Sequence, residues 1–306
     1  MTHHVTRGTP TVRSDHKVGI ERIVDMGNLD GKVALVTGGA RGQGLAHAHA
    51  LAKEGADIVL IDICDQIGSV EYGLATEEDL TLAAKSVGAL GVRVAVHKAD
   101  TRSSDSLAAA VADTVSAFGS IDIVVINHGI WTRGALWDLT DDQWLETIDV
   151  NLNGVWRTLK AVAPQLISQQ SGSVIITASV NGVEAQAGAA HYTAAKHGAL
   201  GLMKSAALEF APHGVRVNAI LPGFVDTAMT NWQGCYDMTG GKPGSTRADH
   251  ELAARHWHAI GGLIKPDEIS GAVVFLASDA ARRVTGVELP VDGGHLVLST
   301  FNPNPS

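Results

Sequence analysis

From Lys32 onward, short apolar runs alternate with longer stretches of helical period. The runs are KVALVT (32–37), DIVLID (57–62), RVAVH (93–97), IDIVVIN (121–127), SVIITAS (173–179), RVNAIL (216–221) and VELPVD (287–292). They are rich in β-branched residues and nearly continuous rather than alternating. That is the pattern of parallel strands covered on both faces. The segments 43–54, 77–90, 104–118, 141–168, 190–212 and 266–278 predict helices between them. Gly55 and Gly91 stand where two of these helices should stop, and Thr76 with Asp79 resembles a capping box. Seven strands with intervening helices imply an α/β chain: a single doubly wound, seven-stranded parallel sheet flanked by helices on both faces.

Four segments fall outside that plan. Residues 1–28 show no period and read as a flexible arm, and 299–306 read as a tail, leaving one domain over 29–298. The connection 63–76 is far longer than the ~2–6 residues usual between strand and helix. The stretch 228–265 has mixed character and reads as a substrate lid carrying a helix or two. Long loops at the carboxyl ends of parallel strands are where ligands bind.

Composition narrows the function classes. The chain has 306 residues, a net charge of −9 and no basic stripe, which argues against nucleic acid and anionic membranes as partners. No apolar run reaches the ~18 residues of a membrane span, and the first residues lack an apolar signal core. Cys64 and Cys235 make no disulfide framework, which fits a reducing, cytoplasmic setting. Glycine is abundant, at 34 residues, as tight turns around a nucleotide would require.

TGGARGQG (37–44) follows the first strand and opens the first helix. Gly38, Gly42 and Gly44 let the backbone turn and approach a pyrophosphate, and the helix N-terminus supplies free N–H groups. This is the dinucleotide site of a Rossmann-type sheet. Asp62 ends the second strand, where a carboxylate accepts both ribose hydroxyls and repels a 2′-phosphate, favouring NAD over NADP. Arg41, inside the loop, pulls the other way. Gln43, Ile63 and Thr101 are counted with the cofactor contacts. Asp100 either accepts from the adenine amine or caps the helix beginning near Ser103.

Tyr192 and Lys196 lie four residues apart in HYTAAKHG, thirteen or more residues after Ser179. A helix holds such a pair on one face. The ammonium is expected to draw the phenol pKa from about 10 towards neutrality, which makes Tyr192 a candidate general acid/base.

Glycine loop, Tyr–Lys pair and strand order together resemble the short-chain dehydrogenase/reductase family over roughly residues 30–295. The resemblance matches the family's active-site asparagine, serine, tyrosine and lysine to Asn151, Ser179, Tyr192 and Lys196. Its strand-four motif appears as Asn127-His128-Gly129, with histidine in place of alanine, and its Pro-Gly turn as Pro222-Gly223. Val225 would then meet the nicotinamide carboxamide through its backbone, with Thr227 nearby. The resemblance implies hydride transfer between NAD and a secondary alcohol or ketone. Tyr192 would move the proton, Lys196 would lower its pKa and bind the nicotinamide ribose, Ser179 would hold the substrate oxygen, and Asn151 would position a water. ARGQGLAHAHALA, the insertion ending in ATEEDL, and AHYTAAKHG resemble the mycofactocin-associated, carveol dehydrogenase-like subgroup. That implies tightly held NAD covered by 63–76 and re-oxidised in place by an external acceptor, and the family implies a homotetramer.

Trp131, Val180, Asn181, Phe224, Met229 and Trp232 are candidates for an apolar pocket suited to a terpenoid or cyclic alcohol. The competing readings are a hydroxysteroid or 3-oxoacyl reductase with exchanging NAD(P), and a non-catalytic dinucleotide-binding sensor. Fourteen histidines do not make a metal site: His47/His49 and His256/His258 have i,i+2 spacing, which points helical side chains apart. His191 and His197 read as packing or interface residues, and Cys64 as a small apolar filler.

Overall fold

The computed structural model describes residues 29–298, so the expected N-terminal arm (1–28) and C-terminal tail (299–306) lie outside the described residues. Seven strands run parallel: β1 Val33–Thr37, β2 Asp57–Asp62, β3 Val94–Lys98, β4 Ile123–Ile126, β5 Gly172–Thr177, β6 Val215–Pro222 and β7 Glu288–Val291. Their spatial order is β3-β2-β1-β4-β5-β6-β7. The order reverses between β1 and β4, whose register pairs Leu35 with Val124 and Thr37 with Ile126. A crevice opens at such a switch point, outside the carboxyl ends of the strands.

Both faces of the sheet are buried, which explains the continuous apolar runs. Leu35, Val59, Ile61 and Val124 belong to one hydrophobic cluster. Their chain neighbours Val36, Ile58, Leu60 and Val125 belong to the other. Successive strand residues thus serve opposite layers, and buried polar ones such as Ser173 and Asn218 are hydrogen-bonded, to the Leu276 and Val284 carbonyls respectively.

The helices are α1 Gly42–Lys53, α2 Glu77–Gly88, α3 Ser104–Phe118, α4 Asp141–Ile148, α5 Gly154–Gln169, α6 Ala190–Phe210, α7 Gln233–Gly240, α8 Arg247–Trp257 and α9 Pro266–Ala277. Thr76 and Asp79 form the expected capping box of α2. Gly55 and Gly91 follow helices with φ of +95° and +92°, conformations that suit glycine. Ser103, not Asp100, caps α3, its hydroxyl accepting from the Ser106 N–H at 3.2 Å.

The single helix expected over 141–168 is interrupted. Residues Asp149–Asn153 form a π-helical segment between α4 and α5. Apolar periodicity cannot register one extra residue in a turn, but the insertion rotates what it carries, and Asn151 sits within it. The stretch 228–265 holds two helices, α7 and α8. No helix among the described residues is long and apolar enough to cross a membrane.

Candidate active site

The glycine loop is shaped by close approach. Gly38 and Gly42 adopt φ of +64° and +56° between β1 and α1. A Cβ on Gly44 would lie 2.0 Å from the Gly38 carbonyl oxygen, so the start of α1 sits directly on the turn. Arg41, the N-cap residue, makes no side-chain cap hydrogen bond, leaving the first-turn N–H groups without a side-chain acceptor. Gly38, Gly42 and Gln43 line a cleft with Asp62, Ile63, Asp100, Thr101, Asn127 and Gly129. Gly44 lies beneath it. These residues fit a dinucleotide: an uncapped helix start, a glycine cradle and a carboxylate at the end of β2.

Asp62 is buried, and its Oδ2 accepts the Ala40 N–H at 3.1 Å. Burial raises its pKa, against the opposing pull of the Ala40, Cys64 and Ile63 N–H groups. Asn127 Nδ2 donates to the Gly38 carbonyl at 3.2 Å, holding the loop from the β4 side. For Asp100, burial acts upward, but hydrogen bonds from Arg102 outweigh it and hold the carboxyl below its usual range.

Arg41 also lines the cleft. Its guanidinium donates to the carbonyl of Gly73, in the 63–76 connection. That connection is a packed wall of the cleft. Ile67, Val70 and Tyr72 are buried with Ile130 and Val150. The Tyr72 hydroxyl accepts the Trp131 N–H at 3.1 Å, and Gln66 Nε2 donates to the Val70 carbonyl at 2.9 Å. Ser69 N–H reaches across to Glu146 Oε2 at 2.9 Å.

A second cavity, of about 230 Å³, adjoins the cleft. Gln43, Thr227 and Met229 line both. Ser179 and Tyr192 open onto the second cavity with Trp131, Val180, Asn181, Phe224, Pro222, Gly223 and Val225. Trp232 does not line either cavity. Its indole donates to the Met229 carbonyl at 2.9 Å and its ring lies 6.0 Å from Tyr72 and 6.2 Å from Trp131, so it backs the wall.

Ser179 ends the turn after β5 and accepts the Asn181 N–H at 3.1 Å. Tyr192 and Lys196 share one face of α6, with Lys196 Nζ 5.6 Å from the centre of the phenol ring. Lys196 is buried behind the cavity and donates to the Thr177 carbonyl at 2.9 Å. Asn151 is pinned by a reciprocal pair: Oδ1 accepts the Ile130 N–H at 2.9 Å and Nδ2 donates to the Ile130 carbonyl at 2.7 Å. A Cβ on Gly129 would fall 2.9 Å from Asn151 Oδ1 and 3.8 Å from Lys196 Nζ. Glycine there lets the chain pass between them.

The expected fall in the phenol pKa is not what the protein's own groups produce. Burial pushes Tyr192 up to about 12, with the Ser179 hydroxyl opposing. Burial also lowers Lys196 to about 8. Desolvation penalises phenolate and ammonium alike and outweighs their mutual attraction.

The sequence did not single out Tyr72, Glu184, Cys235, Trp257, His258 or His295 for the site. Tyr72 had a signal, as the one aromatic residue of the 63–76 connection. The other five come from separate loops and from the 228–265 stretch and share no spacing with Tyr192. His258 lies past the end of α8, so the helical argument about its pairing with His256 does not apply. Its Nε2 accepts the Phe224 N–H at 3.1 Å. His191 is buried, with Nε2 2.6 Å from the Thr132 hydroxyl, and buried His47 contacts Ser270 at 2.9 Å. Cys64 is buried, and burial raises its thiol pKa to about 11.

The Enoyl-(Acyl carrier protein) reductase family model matches residues 38–295. The chain belongs to the short-chain dehydrogenase/reductase family. It is an oxidoreductase, similar to the (-)-trans-carveol dehydrogenase of Rhodococcus erythropolis, with 42% identity over 88% of this chain and 99% of that protein. An NAD-dependent oxidoreductase of Mycobacterium tuberculosis is 43% identical over 88% of this chain and 98% of its own length. The crystal structure of carveol dehydrogenase from Mycobacterium avium in complex with NAD superimposes with a TM-score of 0.86 at 41% identity, covering 89% of this chain and all of that one.

Proposed function

We propose that this NAD-dependent family member interconverts an apolar, cyclic secondary alcohol and its ketone, with Tyr192 as general acid/base and with NAD held through many turnovers. The observation that carries this is the meeting of two cavities. Ser179 and Tyr192 open onto an apolar chamber that shares Gln43, Thr227 and Met229 with the nucleotide cleft. Bound NAD would supply the hydride acceptor or donor for the carbinol carbon. Gly38, Gly42, Asp62, Asp100 and Asn127 would hold its adenosine and pyrophosphate portion, and Gly129, Val225 and Thr227 its nicotinamide end.

Tyr192 removes the alcohol proton or returns it to the forming alcohol. Protonated at neutral pH in the protein's own field, the phenol is ready to donate to a ketone. In the oxidising direction the Lys196 ammonium and the Ser179 hydroxyl are the groups that favour the phenolate. Ser179 also stabilises charge on the substrate oxygen. Asn151 and the Ile130 backbone set the position of a proton path towards Lys196.

Captive NAD is supported by how firmly the 63–76 connection is built: Arg41 to Gly73, Tyr72 to Trp131, and an apolar underside. A cofactor held this way needs an external acceptor, of the mycofactocin kind. A homotetramer is the family's expectation, and exposed Trp156 and Leu145, on the α4–α5 stretch, and Leu208 on α6 are apolar residues that a partner would cover. A cytoplasmic location fits the two free cysteines.

The test is to dialyse the purified protein, denature it and assay the released NAD(H), then follow a cyclic secondary alcohol with an artificial dye acceptor. Near-stoichiometric nucleotide and dye reduction are expected. An empty protein that turns over with added NAD rules out captivity, and no turnover of any secondary alcohol rules out the substrate class.

A further inference from the structure

The alcohol cavity is not uniformly apolar. Besides Trp131, Phe224 and Met229, its lining includes Glu184, His258 and His295. His295 Nε2 lies 2.7 Å from Glu184 Oε1, and its Nδ1 lies 2.7 Å from the Trp257 carbonyl. The imidazole is thus held between two acceptors. Burial acts to lower its pKa, but the hydrogen bonds to Glu184 and Trp257 outweigh it and raise the value. His258 is also fully committed, accepting from Phe224 N–H and donating to the Gly262 carbonyl at 2.6 Å. The carboxylate is not. Glu184 Oε1 takes the imidazole, while Oε2 accepts no hydrogen bond among the described residues. The Glu184 side chain is 37% exposed and lines the chamber, so a molecule that fills the chamber takes water from this acceptor-only oxygen and must offer a donor in its place. The chamber, at about 230 Å³, holds far more than one water, whose share of liquid is ~30 Å³.

We infer that the natural substrate carries a second hydroxyl, remote from the reacting carbon, which donates to Glu184 Oε2; the protein is built for a cyclic diol or hydroxyketone rather than a plain hydrocarbon alcohol. This rests on the alcohol–ketone reading above and adds the specificity-determining residue. His295 orients the carboxylate by occupying Oε1. The hydroxyl takes no part in the hydride transfer, so its effect falls on binding.

A site that bonds a substrate hydroxyl discriminates against the analogue that lacks it, because the bound analogue covers the polar group and excludes water without replacing its bond. The experiment compares cyclohexanol with the cyclohexane-1,2-, 1,3- and 1,4-diols, with the NAD-loaded protein and a dye acceptor. At least one diol should exceed cyclohexanol in kcat/KM by about tenfold or more, chiefly through KM. Glu184→Leu should bring that ratio down towards one. His295→Gln, which leaves the carboxylate in place, should keep most of it. Equal kcat/KM for all four alcohols overturns the inference alone. So does an equal loss of the ratio in both variants, since that is the signature of a purely structural ion pair. No turnover of any of the four overturns the alcohol–ketone reading and the inference with it.

Discussion

Lys196→Met should make the protein more stable at neutral pH while removing its activity. Lys196 is 4% exposed, and burial lowers its ammonium pKa from 10.5 to about 8. At roughly 1.4 kcal/mol per pH unit, the charged side chain costs the native state about 3 kcal/mol below pH 8. Between about pH 8 and 10.5 the unfolded chain still holds a proton that the native chain has lost, so this contribution makes stability rise with pH across that window. Methionine is of similar length and carries no charge. The substitution removes the cost and forfeits the bond from Nζ to the Thr177 carbonyl, worth about 1 kcal/mol. The net gain is about 2 kcal/mol at pH 7, or about 4 °C in Tm for a chain of this size. The advantage should shrink through the window and reverse, to a deficit of about 1 kcal/mol, above pH 10.5. Thermal unfolding of both proteins at pH 7 and at high pH, with NAD content assayed and matched because a bound ligand raises Tm, measures the difference. A variant that is less stable at pH 7, or a difference that does not change with pH, would refute a desolvated ammonium at this position.

Three further substitutions test separate parts of the site. Tyr192→Phe should lower turnover at least ~100-fold while NAD still binds, as steady-state rates and nucleotide assay would report; near wild-type turnover would remove the tyrosine from the chemistry. Asp62→Ala should erode the preference for NAD over NADP by about tenfold or more, measured as the ratio of dissociation constants, because the carboxylate that repels a 2′-phosphate is gone. An unchanged ratio would place discrimination elsewhere. Arg41→Ala cuts the bond between the glycine loop and Gly73. It should speed loss of NAD during dialysis by about tenfold, the effect of removing one charge-assisted hydrogen bond, and equal retention would show that the 63–76 wall holds without it.

Much of the architecture could be read along the chain because it is periodic. Both faces of the central strands are covered, so their runs are largely apolar, and each run fell within two residues of its strand. The glycine loop was equally legible, since positive φ at Gly38 and Gly42 and the lack of room at Gly44 leave few alternatives to glycine. The pairing of Tyr192 with Lys196 follows from helical spacing alone. Tertiary structure decided what spacing cannot express. The π-helical turn that carries Asn151 adds a residue without changing the apolar pattern. Arg41 bonds to the 63–76 wall because a fold, not a motif, brings Gly73 to it. Burial, which sums contributions from every surrounding segment, drove the Tyr192 pKa up when the neighbouring lysine alone suggested down. Glu184, His258 and His295 meet in the cavity beside Tyr192 from segments up to 111 residues apart, because the fold brings the carboxyl ends of β5, β6 and β7 to one edge of the sheet. Local spacing identifies groups that act through their own helix or loop; a pocket's polarity and a buried group's charge depend on which distant segments exclude water from it.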